Sequence, residues 1–174
     1  TFCSITVCCF INPGAHTSGA PLEIFATSSS IIKGKEAALV AVAGAKLNVT
    51  LDGSTLDGTT SFVDPSTLNL TLKNKSLWLV PGESSLSSLV TDGATLHYGS
   101  PANVRVFNTA TIGSQGITVD TKGFNSSINA DFSSIGGLTK SGPGQLTLLG
   151  QNTYTGTTTV NGGRDHFLAG ATFA

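Results

Sequence analysis

One phrase recurs along most of this chain: about four to six residues alternating apolar and polar, then Gly, Asp or Asn. Lys46-Leu47-Asn48-Val49-Thr50-Leu51 is apolar at every second position and ends in Asp52-Gly53. Residues 68–72 run into Lys73-Asn74-Lys75, residues 77–80 close at Pro81-Gly82, and residues 86–90 precede Thr91-Asp92-Gly93. Residues 94–98 stop at Gly99 and residues 104–107 at Asn108, and further runs follow at 117–120, 145–150 and 157–162. Side chains two apart in a strand share a face, so each run buries one face and wets the other. Short strands of this kind, separated by turn residues, predict an all-β protein.

Two architectures accommodate such strands. An antiparallel β-sandwich usually joins longer strands by clean two-residue turns. Here the strands are short, the connectors irregular, and the spacing fits a coil of about 20–25 residues holding three strands. That favours a parallel β-helix, with the sandwich as the alternative. Only residues 31–45 carry a helical signal: KEAALVAVA contains good helix formers, but it also reads as a continuous apolar run between Gly34 and Gly44, short for a helix.

Composition narrows the function. Charged residues are 11% of the 174, against roughly 25% in ordinary soluble domains. The net charge is −1 and the pI about 6.2, which argues against neutralising a nucleic-acid backbone. With 39% hydrophobic residues and mean hydropathy +0.20 the chain is too apolar for disorder. The sequence begins at Thr1 and contains no Met, so it is expected to be a processed product, a piece of a longer protein or a shifted reading frame.

Cys3, Cys8 and Cys9 are the only cysteines, so no disulfide framework staples the body of the chain. Zinc needs four ligands and His16 is the cysteines' only nearby companion, so no metal site is assigned there. Residues 1–11 are apolar and end at Asn12-Pro13-Gly14; eleven residues are too few for a membrane-spanning helix, which needs ~20. They read as a buried strand, a signal-peptide remnant lacking its basic leader, or an atypical terminus.

Residues 136–163, GGLTKSGPGQLTLLGQNTYTGTTTVNGG, closely resemble the autotransporter-associated β-strand repeat at nearly every fixed position. Residues 76–99, with a strand Trp followed by DGATL, are similar, more loosely, to a pertactin-like passenger. The resemblance implies a type V secretion passenger: a right-handed parallel β-helix carried to the bacterial surface by a C-terminal outer-membrane barrel of the same polypeptide. On this reading Gly142, Gly144, Gly150 and Gly156 permit corners with positive φ. Leu146 and Leu148 point into the coil, and Tyr154 covers an apolar corner with its hydroxyl in water. Residues 164–170 depart from the repeat's usual continuation, as the Cys-rich start departs from passenger composition.

Chemistry of other kinds is not marked. No zinc-protease, phosphate-loop, dinucleotide or nucleophile-elbow motif occurs. His16, His97 and His166 are scattered, and His97 reads as a packed or solvated strand residue. Asp52, Asp57 and Asp64 are close in sequence, as a polysaccharide-degrading β-helix would need, but Asp52-Gly53 and Asp57-Gly58 read as turns. Trp78 is either a sugar-stacking platform or core, and its run favours core. Asn48, Asn69, Asn74 and Asn125 begin Asn-x-Ser/Thr triplets, here read as products of Asn- and Thr-rich strands.

These readings predict residues 31–163 as a β-helical passenger segment, 1–30 as an atypical N-terminal segment (signal remnant, cap or shifted frame) and 164–174 as an atypical tail. The expected function is that of a non-enzymatic, surface-exposed stalk or adhesin supporting secretion, adhesion or self-association. It would be displayed on the bacterial surface or secreted, with no catalytic, cofactor-binding or metal residue assigned. Expected partners are the barrel that the resemblance implies, a host surface, or a second copy joined through outward Ser, Thr and Asn ladders. The rivals are a secreted polysaccharide-acting enzyme, a protease passenger with its catalytic part elsewhere, and an inactive truncated product.

Overall fold

A computed structural model describes residues 4–5, 21–27 and 29–167. Seventeen strands and no helix occur among them. In chain order these are β1 (Ser4–Ile5), β2 (Leu22–Thr27), β3 (Ile31–Ala41), β4 (Lys46–Asp52), β5 (Thr55–Phe62), β6 (Thr67–Lys73), β7 (Leu77–Val80), β8 (Ser84–Asp92) and β9 (Ala94–Tyr98). They continue with β10 (Asn103–Ile112), β11 (Ile117–Asp120), β12 (Ser126–Asn129), β13 (Phe132–Ser133), β14 (Leu138–Ser141), β15 (Gln145–Leu148), β16 (Thr158–Val160) and β17 (Arg164–Phe167).

One sheet has the order β1-β3-β5-β7-β9-β11-β14-β16 and the other β17-β15-β12-β10-β8-β6-β4-β2, with β13 pairing to β10. Every pairing is parallel, and from β2 to β12 the chain alternates between the sheets. A chain that visits two parallel sheets in strict alternation is a coil. The result is a β-solenoid of about six turns rather than an antiparallel sandwich. Register partners lie 18 residues apart from Leu77 to Thr95 and 25 from Leu22 to Leu47, bracketing the expected coil length.

The coil has three sides because its longest strands bend. Register with the neighbour jumps between Lys33 and Ala37 in β3 and between Val106 and Thr109 in β10. The second limb of β5 lies against the start of β8, Thr60 N donating to Ser84 Oγ at 3.3 Å and Thr60 Oγ1 to the Ser85 carbonyl at 3.1 Å. The ambiguous segment at 31–45 resolves here as β3. Ala37–Ala41 pairs with Thr59–Phe62, and ladder hydrogen bonds outweigh an intrinsic helix preference of tenths of a kcal/mol per residue.

In-register stacking turns the alternation into interior columns. Ile24, Val49, Leu70, Leu89, Ala110 and Phe132 form one, each opposite its equivalent in the next coil. Ile32, Leu56, Trp78, Leu96, Val119 and Lys140 form another, which ends in register at the exposed Val160. Trp78 is fully buried and its indole N–H donates to the Gly58 carbonyl at 3.0 Å, so it is core and not a sugar platform. Burying a large apolar side chain contributes about 1.5–3 kcal/mol.

Asp57-Gly58 corrects the turn reading: it sits inside β5, where Gly58 at φ 140° bends the strand at a corner without ending it. The ladder also extends to either side of 31–163, through β2, and through β17 in register with β15. No strand is expected from the sequence at β2, β12 or β17, whose runs are short or carry charge. Cys3, Cys8, Cys9, His16 and most of the apolar run at 1–11 lie outside the described residues.

Candidate functional site

The turn that carries the repeat is built from polar residues placed inside. Lys140 occupies the apolar column between Val119 and Val160 with none of its surface exposed. Its ammonium donates to the carbonyls of Ser141 (2.8 Å), Gly142 (2.7 Å) and Gly162 (3.0 Å), joining one corner to the corner of the next coil. Lysine suits this position because its four-carbon stem packs like an apolar residue while its head bonds corner carbonyls. Beyond β15 the third side of the coil has no regular strand, and side chains supply what the ladder lacks. Asn152 Oδ1 accepts the Phe132 N–H at 3.1 Å while its Nδ2 donates to the Gly150 carbonyl at 3.1 Å.

Tyr154 is only 5% exposed, and its hydroxyl lies 2.7 Å from Thr158 Oγ1. The hydroxyl expected to be in water is thus held by a neighbour. Leu146 and Leu148 point inward, as the resemblance implies. Of the four glycines, Gly142 and Gly144 have positive φ (71° and 98°). Gly150 and Gly156 do not, and the reading is corrected there: a Cβ at either would fall onto backbone of the preceding coil, Ala130 and Gly136 respectively. Two glycines shape corners, and two permit coils to touch.

The acidic residues do not converge. Asp57 pairs with Lys33 at 2.6 Å, and Asp52 bonds Asn74 Nδ2 at 2.7 Å with Lys73 Nζ 3.4 Å away. Asp52 and Asp57 belong to different sheets. The Asn74 hydrogen bond, helped by Lys73, holds the Asp52 carboxyl below the usual carboxylate range. Asp64 lines a separate depression with Phe62 and Phe107. Other carboxylates cap backbone across coils: Glu83 accepts from Asn103 N, Asp92 from Gln115 N and Asp131 from Gln151 N, at 2.9, 2.8 and 2.7 Å.

His97 stands half-buried on the outer face of β9, opposite Leu79 and Asp120. His166 is opposite Thr147 in the other sheet. No group of three metal-ligating side chains occurs among the described residues. All four Asn-x-Ser/Thr asparagines are engaged across coils. Asn48 donates to Glu23 (2.7 Å), Asn69 to Asn48 (2.8 Å) and Asn74 to Asp52, while Asn125 accepts from Gln145 N (3.0 Å).

Two surfaces have the shape to receive something. On the first sheet, Thr95, Thr118, Thr139 and Thr159 stack in register, and the first three line an open groove of about 590 Å³ with Ser114, Gln115 and Thr157. On a second side, Phe62 and Phe107 separate depressions of about 480 and 400 Å³. Sequence reasoning missed this pair, although Phe107 falls at the polar parity of Val104-Arg105-Val106-Phe107 and was legible as outward-facing.

A parallel β-solenoid with outward hydroxyl and amide columns is the class of molecule these coils define. Residues 138–164 match the passenger-associated transport repeat family. Comparison with curated proteins and with solved structures gives no match. The matched repeat and the solenoid together fit a segment of an autotransporter passenger, a class displayed on the surface or secreted.

Proposed function

We propose that this chain is a non-enzymatic, surface-exposed stalk or adhesin segment of a bacterial autotransporter passenger, delivered by an outer-membrane barrel of the same polypeptide. The observation that carries the reading is the unbroken parallel ladder ending in the matched repeat, since a stack of coils is a stiff rod whose sides repeat every coil. Each new coil forms on the edge of the last, so a chain emerging through a pore can fold by templating. The side faces favour contact over catalysis. They carry Thr, Asn and Ser columns with little charge to repel a second copy.

The test is a cell displaying the full passenger, compared with one lacking residues 31–163. Loss of cell aggregation or host attachment is expected on deletion. Unchanged attachment and aggregation would sink the adhesin reading. Incubation with polysaccharide and casein panels addresses the rival: Asp-dependent turnover of either would replace the stalk with an enzyme.

A further inference from the structure

In β10, Phe107 and Asn108 stand where β8 has Ser87 alone, between the register pairs Val106–Leu86 and Thr109–Ser88. An extra residue of this kind bends a strand and re-aims a side chain. Phe107 is turned outward and 56% exposed. Its ring meets Phe62 of an earlier coil edge-on, centroids 5.4 Å apart at 89°. The Arg105 guanidinium sits 5.8 Å from its centroid. Val63, beside Phe62, is 61% exposed, so aromatic and aliphatic surface gathers at one corner of an otherwise polar rod.

We propose that this corner is a binding cleft for a neutral oligosaccharide; its biological purpose rests on the adhesin reading above. Phe107 is the ridge between the two depressions and lines both, as does Ser85. An aromatic ring offers an apolar platform for the C–H face of a sugar ring, while hydroxyls need polar partners on either side. The walls supply them: Ser61 and Asn103 on one side, Thr67 and Asn108 on the other.

Charge selects the class. Asp64 and Glu83 set two negative charges against the one positive charge of Arg105, so a polyanion meets net repulsion. Arg105 and Glu83 line the same depression without an ion pair, and Glu83 is held by the Asn103 N–H instead. The guanidinium is thereby oriented on the ring with donors available for sugar oxygens. The walls come from three successive coils, roughly 10 Å at the usual strand spacing, which suits a chain of sugars better than a single ring.

The experiment is titration of the full chain with maltohexaose, cellohexaose and chitohexaose, with polygalacturonate as the acidic comparison, read by calorimetry and by the Phe ring resonances. Expected is saturable binding of at least one neutral chain at sub-millimolar to millimolar Kd. Phe107→Ala should weaken it by about tenfold or more, with Phe107→Tyr close to the parent and melting temperatures unchanged. Silence with all neutral chains, binding of the polyanion alone, or full affinity in Phe107→Ala overturns the proposal. If neutral sugars are silent yet deletion of 31–163 abolishes attachment, the cleft fails and the adhesin reading stands. If sugars bind through Phe107 yet that deletion changes nothing, the cleft stands and the adhesin reading fails.

Discussion

The ammonium of Lys140 donates to the carbonyl of Gly162, 22 residues onward and 3.0 Å away, from a position within an apolar column. This contact, with those to Ser141 and Gly142, lets one side chain close a corner and fasten the next coil to it. Lys140→Met keeps the stem and removes the donors, so the Ser141 carbonyl keeps only its Thr121 donors and those of Gly142 and Gly162 lose the ammonium. A loss of about 2–4 kcal/mol is expected in urea unfolding, because hydrogen bonds to charged groups are the strong ones. A variant as stable as the parent would mean that the column tolerates methionine and that the clamp contributes nothing.

Trp78 fills the same column three coils earlier. Trp78→Ala leaves a cavity in a stack whose coils cannot collapse independently, and about 3–5 kcal/mol of destabilisation is expected. Trp78→Phe should cost less, mainly the indole bond to the Gly58 carbonyl. Equal losses for the two variants would show that the bond outweighs the volume.

The columns were legible because inward residues sit two apart and hydrophobic: Leu47, Val49 and Leu51 predict β4 from spelling alone. The interior polar residues were not. Lys140 breaks the alternation with a charged residue at an inward parity, and nothing in the spacing says that three carbonyls wait for it. Asp57-Gly58 spells a turn, yet at the seam between two sides of a coil the same dipeptide bends a continuous strand. The Phe62–Phe107 pair joins residues two coils apart in sequence, and the bulge that aligns them is a register property that only pairing reveals.

Glycines divide into two tests. A Cβ at Gly150 meets the Ala130 carbonyl head-on, so Gly150→Ala should cost more than about 2 kcal/mol, since the coils must move apart. Gly44 has φ 81° and open space around a Cβ, so Gly44→Ala should cost only about 1 kcal/mol of backbone strain. Chemical denaturation of the pair decides it, and the reverse order would refute the close-approach explanation.

Asp52 gives an acid-side prediction. The Asn74 hydrogen bond and Lys73 lower its folded carboxyl relative to the unfolded chain. Its contribution is therefore present above the usual carboxylate pKa of ~3.9 and is lost as pH falls through the lower folded value. A carboxyl-carbon NMR titration should place the Asp52 midpoint below the usual carboxylate value. Asn74→Ala should move it upward, and an unmoved midpoint in that variant would remove Asn74 as the main cause.

Tyr98 gives the alkaline counterpart. It is fully buried, its hydroxyl donates to the Ser127 carbonyl at 3.0 Å, and burial, with the nearby Glu83 charge, pushes its pKa far above the ordinary value. A raised folded pKa stabilises below the unfolded pKa of ~10 and loses that stability as pH rises beyond it, because the unfolded chain then releases a proton that the folded one keeps. From this residue alone, unfolding free energy should fall by about 1.4 kcal/mol per pH unit above that point. Tyr98→Phe removes that slope while sacrificing one hydrogen bond at neutral pH, so the parent and variant stability curves should converge on going alkaline. Curves that stay parallel from pH 8 to 11 would mean that Tyr98 ionises in the folded coil, and its burial would then be the wrong explanation for its place in the stack.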